Sequence, residues 1–219
     1  MTLADLIDAF REESGDNGNP PFWTNERLAR MATEGQIEAC RRGYLLIDSA
    51  SALCTIGVNA GDPLVYIDNR VVDIRRARLS LGAWKLQPFT VEEMDCGAGI
   101  QWETITGTPT AYVTDYQSGA IRLYPSPSVA DTLLLMVSRL PLSDLVDDDD
   151  EPELRLECQP ALVQWMLYRA YAKQDADTFD KDKSQRALAE FEREFGHKVS
   201  ARNEEWRREK LVIGSDPIA

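Results

Sequence analysis

One histidine, His197, and four cysteines, Cys40, Cys54, Cys96 and Cys158, are all the imidazole and thiol this chain carries. A Ser-His or Cys-His couple, or a metal centre of several histidines, cannot be assembled from that stock within one chain. The cysteines are widely and irregularly spaced and form no C-x-x-C pair, which excludes a zinc ribbon or a thioredoxin-like site. Scattered single thiols fit buried side chains in a reducing compartment. His197 follows Gly196, a helix stop, and reads as a C-terminal cap or a solvent-facing residue. No G-x-G-x-x-G, P-loop or G-x-S-x-G motif occurs, so phosphate cradles and nucleophile elbows are missing too. Carboxylates are abundant and leave acid/base work open, yet no pair stands out as the two flanking acids of a glycoside hydrolase. The run Asp147-Asp148-Asp149-Asp150-Glu151-Pro152-Glu153 lacks the spaced ligands and turn glycine of a calcium loop and reads as a solvated linker. The expectation is a chain with no catalytic residue, no metal site and no cofactor.

Charge narrows the choice further. Thirty-seven acids stand against 24 Lys and Arg, a net charge of −13. That balance repels phosphate and argues against an extended nucleic-acid grip, while suiting a wall past which nucleic acid slides. The local basic cluster Arg75, Arg76 and Arg78 lies in a strand, where such charges usually meet acidic neighbours. Among the tryptophans, Trp165 has apolar neighbours at helical spacing and belongs to a core. Trp206, among Glu204, Glu205, Arg207 and Arg208, has little local core to join; it suits docking on a partner or folding back onto its own domain. Tyr112, Tyr116 and Trp102 could form a glycan platform, but residues alternating along strands put at least half of them inside.

The elements that must position these residues fall into three stretches. Thr2 caps a first helix with Leu3, Leu6, Ile7 and Phe10 on one face. After a Gly/Asn/Pro-rich break, a second helix follows Thr24 with Leu28, Met31, Ala32, Ala39 and Cys40, ending at Arg41, Arg42 and Gly43. From Tyr44 the texture becomes short β-branched or aromatic runs with turns at 59–63, 97–99, 107–109 and 118–119. The clearest hairpin is Val113 to Tyr124. About eight strands over roughly a hundred residues suggest a small antiparallel sandwich or barrel, with no helix long enough for crossovers. Helical periodicity resumes at Leu154 and continues through Leu162, Val163, Met166 and Leu167, apolar over most of its circumference. Asp180 caps a last helix carrying Ala187, Leu188, Phe191 and Phe195. The reading is therefore α+β: residues 1–43 and 143–196 form a helical bundle, 44–142 an inserted β-rich domain, and 197–219 an extended C-terminal tail. Leu28, Met31, Leu162, Trp165, Met166, Phe191 and Phe195 are its expected bundle core. The N-terminus has no signal peptide and no window reaches a transmembrane length, giving an expectation of a soluble, cytoplasmic protein without membrane contact.

The stretch from Gln164 to Asp180, with Ala189-Glu190-Phe191-Glu192 and Phe195-Gly196, resembles tailed-phage head-to-tail adaptor (connector) proteins. Phe22-Trp23-Thr24, Glu34 to Ala39 and Ile121 to Pro125 carry the same resemblance, while the tail after Gly196 matches more loosely and Gln159-Pro160 stands where a histidine is expected. The resemblance implies a virion structural protein at the head-tail interface, assembled in the host cytoplasm. It further implies a homo-oligomeric ring, typically of twelve copies, beneath the portal protein. Tail tube or nozzle proteins would sit on other faces, and genomic DNA would pass through the channel without specific binding. The C-terminal segment would reach the portal, which singles out Trp206, Arg207, Arg208, Lys210, Leu211, Val212 and Ile213 as docking residues. Two other function classes remain open from the residues alone: a glycan-binding or TPR-like interaction protein, the latter without a recurring repeat, and a carboxylate-dependent hydrolase.

Overall fold

The computed structural model describes residues 1–99, 101–173 and 179–198. The fold is α+β, with five α-helices and three sheets among the described residues, none of them closed. Two compact units are present: a helical unit of Met1–Leu46 with Leu140–Lys198, and a β unit containing Ile47–Arg139.

In the helical unit, α1 (Leu3–Ser14) starts from a capping box in which Thr2 and Asp5 satisfy each other's backbone N–H groups. α2 (Asn25–Gly43) ends one residue later than its glycine suggests: Tyr44, at φ 50°, takes the left-handed position and donates its N–H to the Cys40 carbonyl. α4 (Leu162–Tyr171) and α5 (Lys181–Phe195) complete the unit, α5 being capped by the Asp180 side chain on the Lys183 N–H. Leu28, Met31, Leu162, Trp165, Met166, Phe191 and Phe195 all lie in one buried cluster shared by the four helices. Aromatic rings organise it. Trp23 meets Phe10 and Tyr171 edge-on at centroid distances of 5.4 and 5.9 Å, and Phe191 packs, tilted, between Trp165 and Phe195 at 4.9 and 4.7 Å. Such pairs add about 0.5–1.5 kcal/mol each beyond their burial. Gly35 lets α2 approach α4, since a Cβ there would lie 3.1 Å from the Trp165 ring.

Asp16 is one of several buried polar residues of this unit, with Gln36, Gln159 and Ser184. The Asp16 carboxylate accepts the N–H groups of Phe22 and Trp23 and pairs with Arg11 at 3.2 Å, fixing the loop that delivers Trp23 to the core.

The β unit is built around β10 (Asp131–Arg139), which pairs with β1 (Leu46–Asp48), with β2 (Thr55–Val58) and with the nine-residue β4 (Val71–Leu79). A second sheet has the order β3-β8-β7-β5, made of β3 (Leu64–Tyr66), β5 (Gln87–Phe89), β7 (Ala111–Gln117) and β8 (Ala120–Tyr124). The expected hairpin is β7–β8, turning at Ser118 and Gly119, with Gly119 at φ 73°. Apolar residues of both four-stranded sheets, among them Val65, Leu79, Ile121, Leu123, Leu133 and Leu135, share one buried cluster.

Three sequence expectations fail in this unit. The sheets are not purely antiparallel: β5 pairs β7 in parallel, as does β6 (Thr106–Gly107) with β9 (Ser126–Pro127). A crossover helix does exist, α3 (Val91–Ala98), lying between β5 and β7 in the chain. It takes up Gly97 and Ala98, which read as a turn, because Thr90 and Glu93 form a capping box that starts a helix there. Finally, the strand-like texture is broken before β6. Trp102–Thr104 form a single 3₁₀ turn that buries Trp102, whose indole N–H is held by Asp95 at 2.8 Å.

Candidate functional site

No group of three or more His, Cys, Asp or Glu side chains among the described residues is placed to hold a metal ion. His197 is exposed beyond the end of α5 and pairs with Glu192 at 2.8 Å. Cys40 and Cys54 are buried and Cys158 is half-buried, with the thiols of Cys54 and Cys158 pushed above their ordinary range by burial. Cys96, against expectation, is exposed, because it sits on the outer face of α3. What the helical unit presents is a set of charged surfaces.

The first is a groove of about 480 Å³ between α2 and the end of α4. Met31 and Ala172 contribute its apolar lining; Arg27, Arg30, Arg169 and Lys173 surround it, with Glu34 the single acid. Glu34 is tied to Arg169 at 2.8 Å, and Arg30 pairs with Glu26 on the outer face. Four cations around one carboxylate make this a local positive site on an acidic protein. The sequence contains its signal, since Arg27, Arg30, Met31 and Glu34 fall at helical spacing, but the α4 half is contributed only by tertiary packing.

The second is the acidic stretch after Leu145. It is a pinned turn, not a solvated linker. The Asp150 carboxylate accepts the N–H groups of Val146 and Asp147, both at 2.8 Å, which holds its pKa below the usual carboxylate range. The carbonyls of Asp150 and Asp148 accept the first N–H groups of α1, from Leu3 and Ala4, at 2.8 and 3.1 Å. Thr33 and Gln36 of α2 anchor the flanks by bonds to Leu145 and to the Glu153 N–H. Asp144, Asp147, Asp148, Asp149 and Glu151 are left facing solvent.

The third lies where α5 ends. Arg42 is buried under Trp165 and Phe191, with its guanidinium 5.6 and 5.3 Å from their ring centres. It binds Glu38 at 2.9 Å, Glu192 at 3.4 Å and the Gly196 carbonyl at 3.0 Å, so one side chain fixes the point from which the C-terminal segment departs. Burial alone would raise the Glu38 carboxyl, but Arg41 and Arg42 hold it below its ordinary value. The expected docking residues Trp206, Arg207, Arg208, Lys210, Leu211, Val212 and Ile213 lie outside the described residues.

In the β unit the glycan-platform reading loses two of its three residues. Trp102 and Tyr112 are buried, and burial together with the Asp73 charge pushes the Tyr112 phenol up to about 12. Arg122 packs over Trp102 and Tyr116, at 5.4 and 4.7 Å, and donates to the Glu103 carbonyl. Of the basic strand cluster, Arg75 donates to the Ser138 hydroxyl at 2.7 Å, not to an acid. Two aromatics of the unit are exposed, Tyr66 on β3 and Trp84, 85 % exposed, three residues after Leu81 on the segment between β4 and β5. The position of Trp84 after Leu81-Gly82-Ala83, a turn with too little apolar pattern to pack it, was the available signal.

The α+β fold thus carries charged surfaces on its helical unit and exposed aromatics on its β unit. A family model described as "SU10 adaptor protein" matches residues 1–212. The chain belongs to this family, and is a bacteriophage adaptor protein. No curated protein matches it. No helix among the described residues is long and apolar enough to cross a membrane.

Proposed function

We propose that this chain is a non-catalytic head-to-tail adaptor that forms a ring joining the portal protein to tail tube or nozzle proteins and continuing the DNA channel. In this reading the N- and C-terminal helices form one bundle, the β unit is a sandwich-like insertion facing neighbours or tail proteins, and residues 197–219 dock on the portal. The observation that carries it is the reach of the family match, which runs over both helical flanks, the β unit and the tail as far as Val212. Three physical features support it. The net charge of −13 gives a channel wall that does not retain DNA. Arg42 anchors the origin of the tail on the bundle. The tail's Trp206 and Leu211-Val212-Ile213 supply side chains whose burial on a partner offsets the entropy of ordering.

Deletion of residues 198–219 is expected to abolish co-sedimentation with the portal protein while leaving the helical circular dichroism intact. Portal binding at the wild-type level would refute the tail assignment. Alanine substitution of Trp206, Leu211 and Ile213 together should reproduce the loss if the apolar side chains carry the contact.

A further inference from the structure

The cationic groove and the acidic turn have no use in what precedes, and their arrangement carries an inference that rests on the ring reading. Between residues 140 and 154 there is no Lys or Arg, while five carboxylates of that stretch face solvent. In their midst Val146 is 70 % exposed, an apolar side chain ringed by acids. The groove is its complement: a Met31 and Ala172 lining surrounded by Arg27, Arg30, Arg169 and Lys173.

The two surfaces cannot meet within one copy. At about 100° per residue along a helix, Arg27, Arg30, Met31 and Glu34 centre on one side of α2, while Thr33 and Gln36, which hold the acidic turn, lie about 140° around it. They flank the buried face of α2 on opposite sides. A groove on one flank and its complement on the other describe a heterologous contact, which repeats from copy to copy and closes into a ring when the rotation allows. The turn is also rigid before binding, held by the Asp150 carboxylate and by backbone bonds to α1, so little ordering entropy opposes its docking.

We propose that copies of this chain associate head to tail, with the acidic turn of residues 144–151 of one copy seated in the α2–α4 groove of the next and Val146 against Ala172. The C-terminal tail is a poorer occupant, since residues 199–219 carry equal numbers of acids and bases. A nucleic-acid backbone is opposed by Glu34 inside the groove and by the net charge.

The test is a charge exchange. One variant carries Arg27→Glu with Arg30→Glu, the other Asp147→Lys with Asp148→Lys; all four side chains lie outside the core, and circular dichroism checks that both variants fold. Each variant alone should lose self-association, by at least about tenfold in Kd, because like charges then face each other. An equimolar mixture should restore it, in copies that alternate between the two variants. Sedimentation velocity at low salt reads this in solution, and native mass spectrometry reads the copies bound to the portal protein. In the wild type, a carbodiimide should also link Lys173 of one copy to Asp147, Asp148 or Asp149 of another. Variants that assemble alone as the wild type does, or a mixture that fails to recover, would overturn this contact and leave the ring reading standing. A wild-type chain that self-associates neither in solution nor on the portal would remove the ring reading, and this contact with it. Binding of duplex DNA lost in the groove variant, with self-association unchanged, would assign the groove to phosphate instead.

Discussion

The helical unit and the β unit use the same chemical devices with different reach. In the helical unit a buried charge ties distant segments: Asp16 joins α1 to the Trp23 loop, and Arg42 joins α2 to α5 over a sequence separation of 150 residues. In the β unit the comparable residue, Asp48, binds the N–H groups of Ala50 and Ser51 and the guanidinium of Arg139 at 2.7 Å, so it holds the first and last strands of the unit. Both units use an ion pair, but Arg42 is 2 % exposed and roofed by the Trp165 and Phe191 rings, while Arg139 and Asp48 are 13 and 11 % exposed. Burial decides what each charge is worth. A pair whose partner is removed under a roof leaves an uncompensated charge in a medium that solvates it poorly.

The largest effect expected from that difference is at Arg42. Arg42→Ala should destabilise the helical unit by about 3–4 kcal/mol, since Glu38 and Glu192 lose their buried partner and two ring faces lose their cover. Amide exchange along α5 should speed up strongly while the amides of β10 hardly change. Equal acceleration in both would break the distinction between the units. Arg42→Met keeps the packing over Trp165 and Phe191, and should recover part of the loss if the rings matter as much as the charge.

Asp48 should give less. Asp48→Asn is expected to cost about 2 kcal/mol, a charged hydrogen-bond set exchanged for a neutral one. Its pH dependence follows from the sign of its shift. Burial would raise the carboxyl, but the Ala50 and Ser51 donors and Arg139 hold it far below the usual range. Its stabilisation is therefore complete above the unfolded carboxylate pKa of about 4 and drains away as pH falls toward the depressed folded value. The urea midpoint should drop on acidification in the wild type, and less steeply in Asp48→Asn. Parallel slopes would show that Asp48 is not the titrating group.

What the residues announce differs between the units for the same reason. In the helical unit the core is local in sequence: Leu3, Leu6, Ile7 and Phe10 share a face by spacing alone, and Thr2, Asp180 and Gly196 mark ends by their own chemistry. The polar anchors were hidden, because Asp16 and Arg42 act on partners that only tertiary packing brings near. The groove was half visible for that reason, and the acidic run concealed its order because its bonds are backbone groups of α1. In the β unit, long strands such as Val71–Leu79 stood out, but two- and three-residue strands like β6 and β5 carry no periodicity to detect. The parallel pairing of β5 with β7 runs through a helix that the surrounding strand-like texture obscured.

That helix supplies the smallest and most local contrast, because α1 and α3 begin with the same capping box. Thr2 and Asp5 exchange bonds of 3.3 and 2.8 Å, and Thr90 and Glu93 exchange bonds of 3.2 and 2.8 Å. Replacing either threonine by valine should cost about 1 kcal/mol. Where that loss shows should differ. α1 buries four side chains in the main cluster, so Thr2→Val should lower the stability of the helical unit as a whole. α3 has eight residues and buries only Met94, too little to persist without its cap. Thr90→Val should therefore raise amide exchange about fivefold across residues 91–98 and leave the neighbouring β7 amides unchanged. If β7 loosens together with α3, the crossover is part of the sheet's cooperative unit, and the small cluster of Met94, Trp102 and Val113 is what couples them.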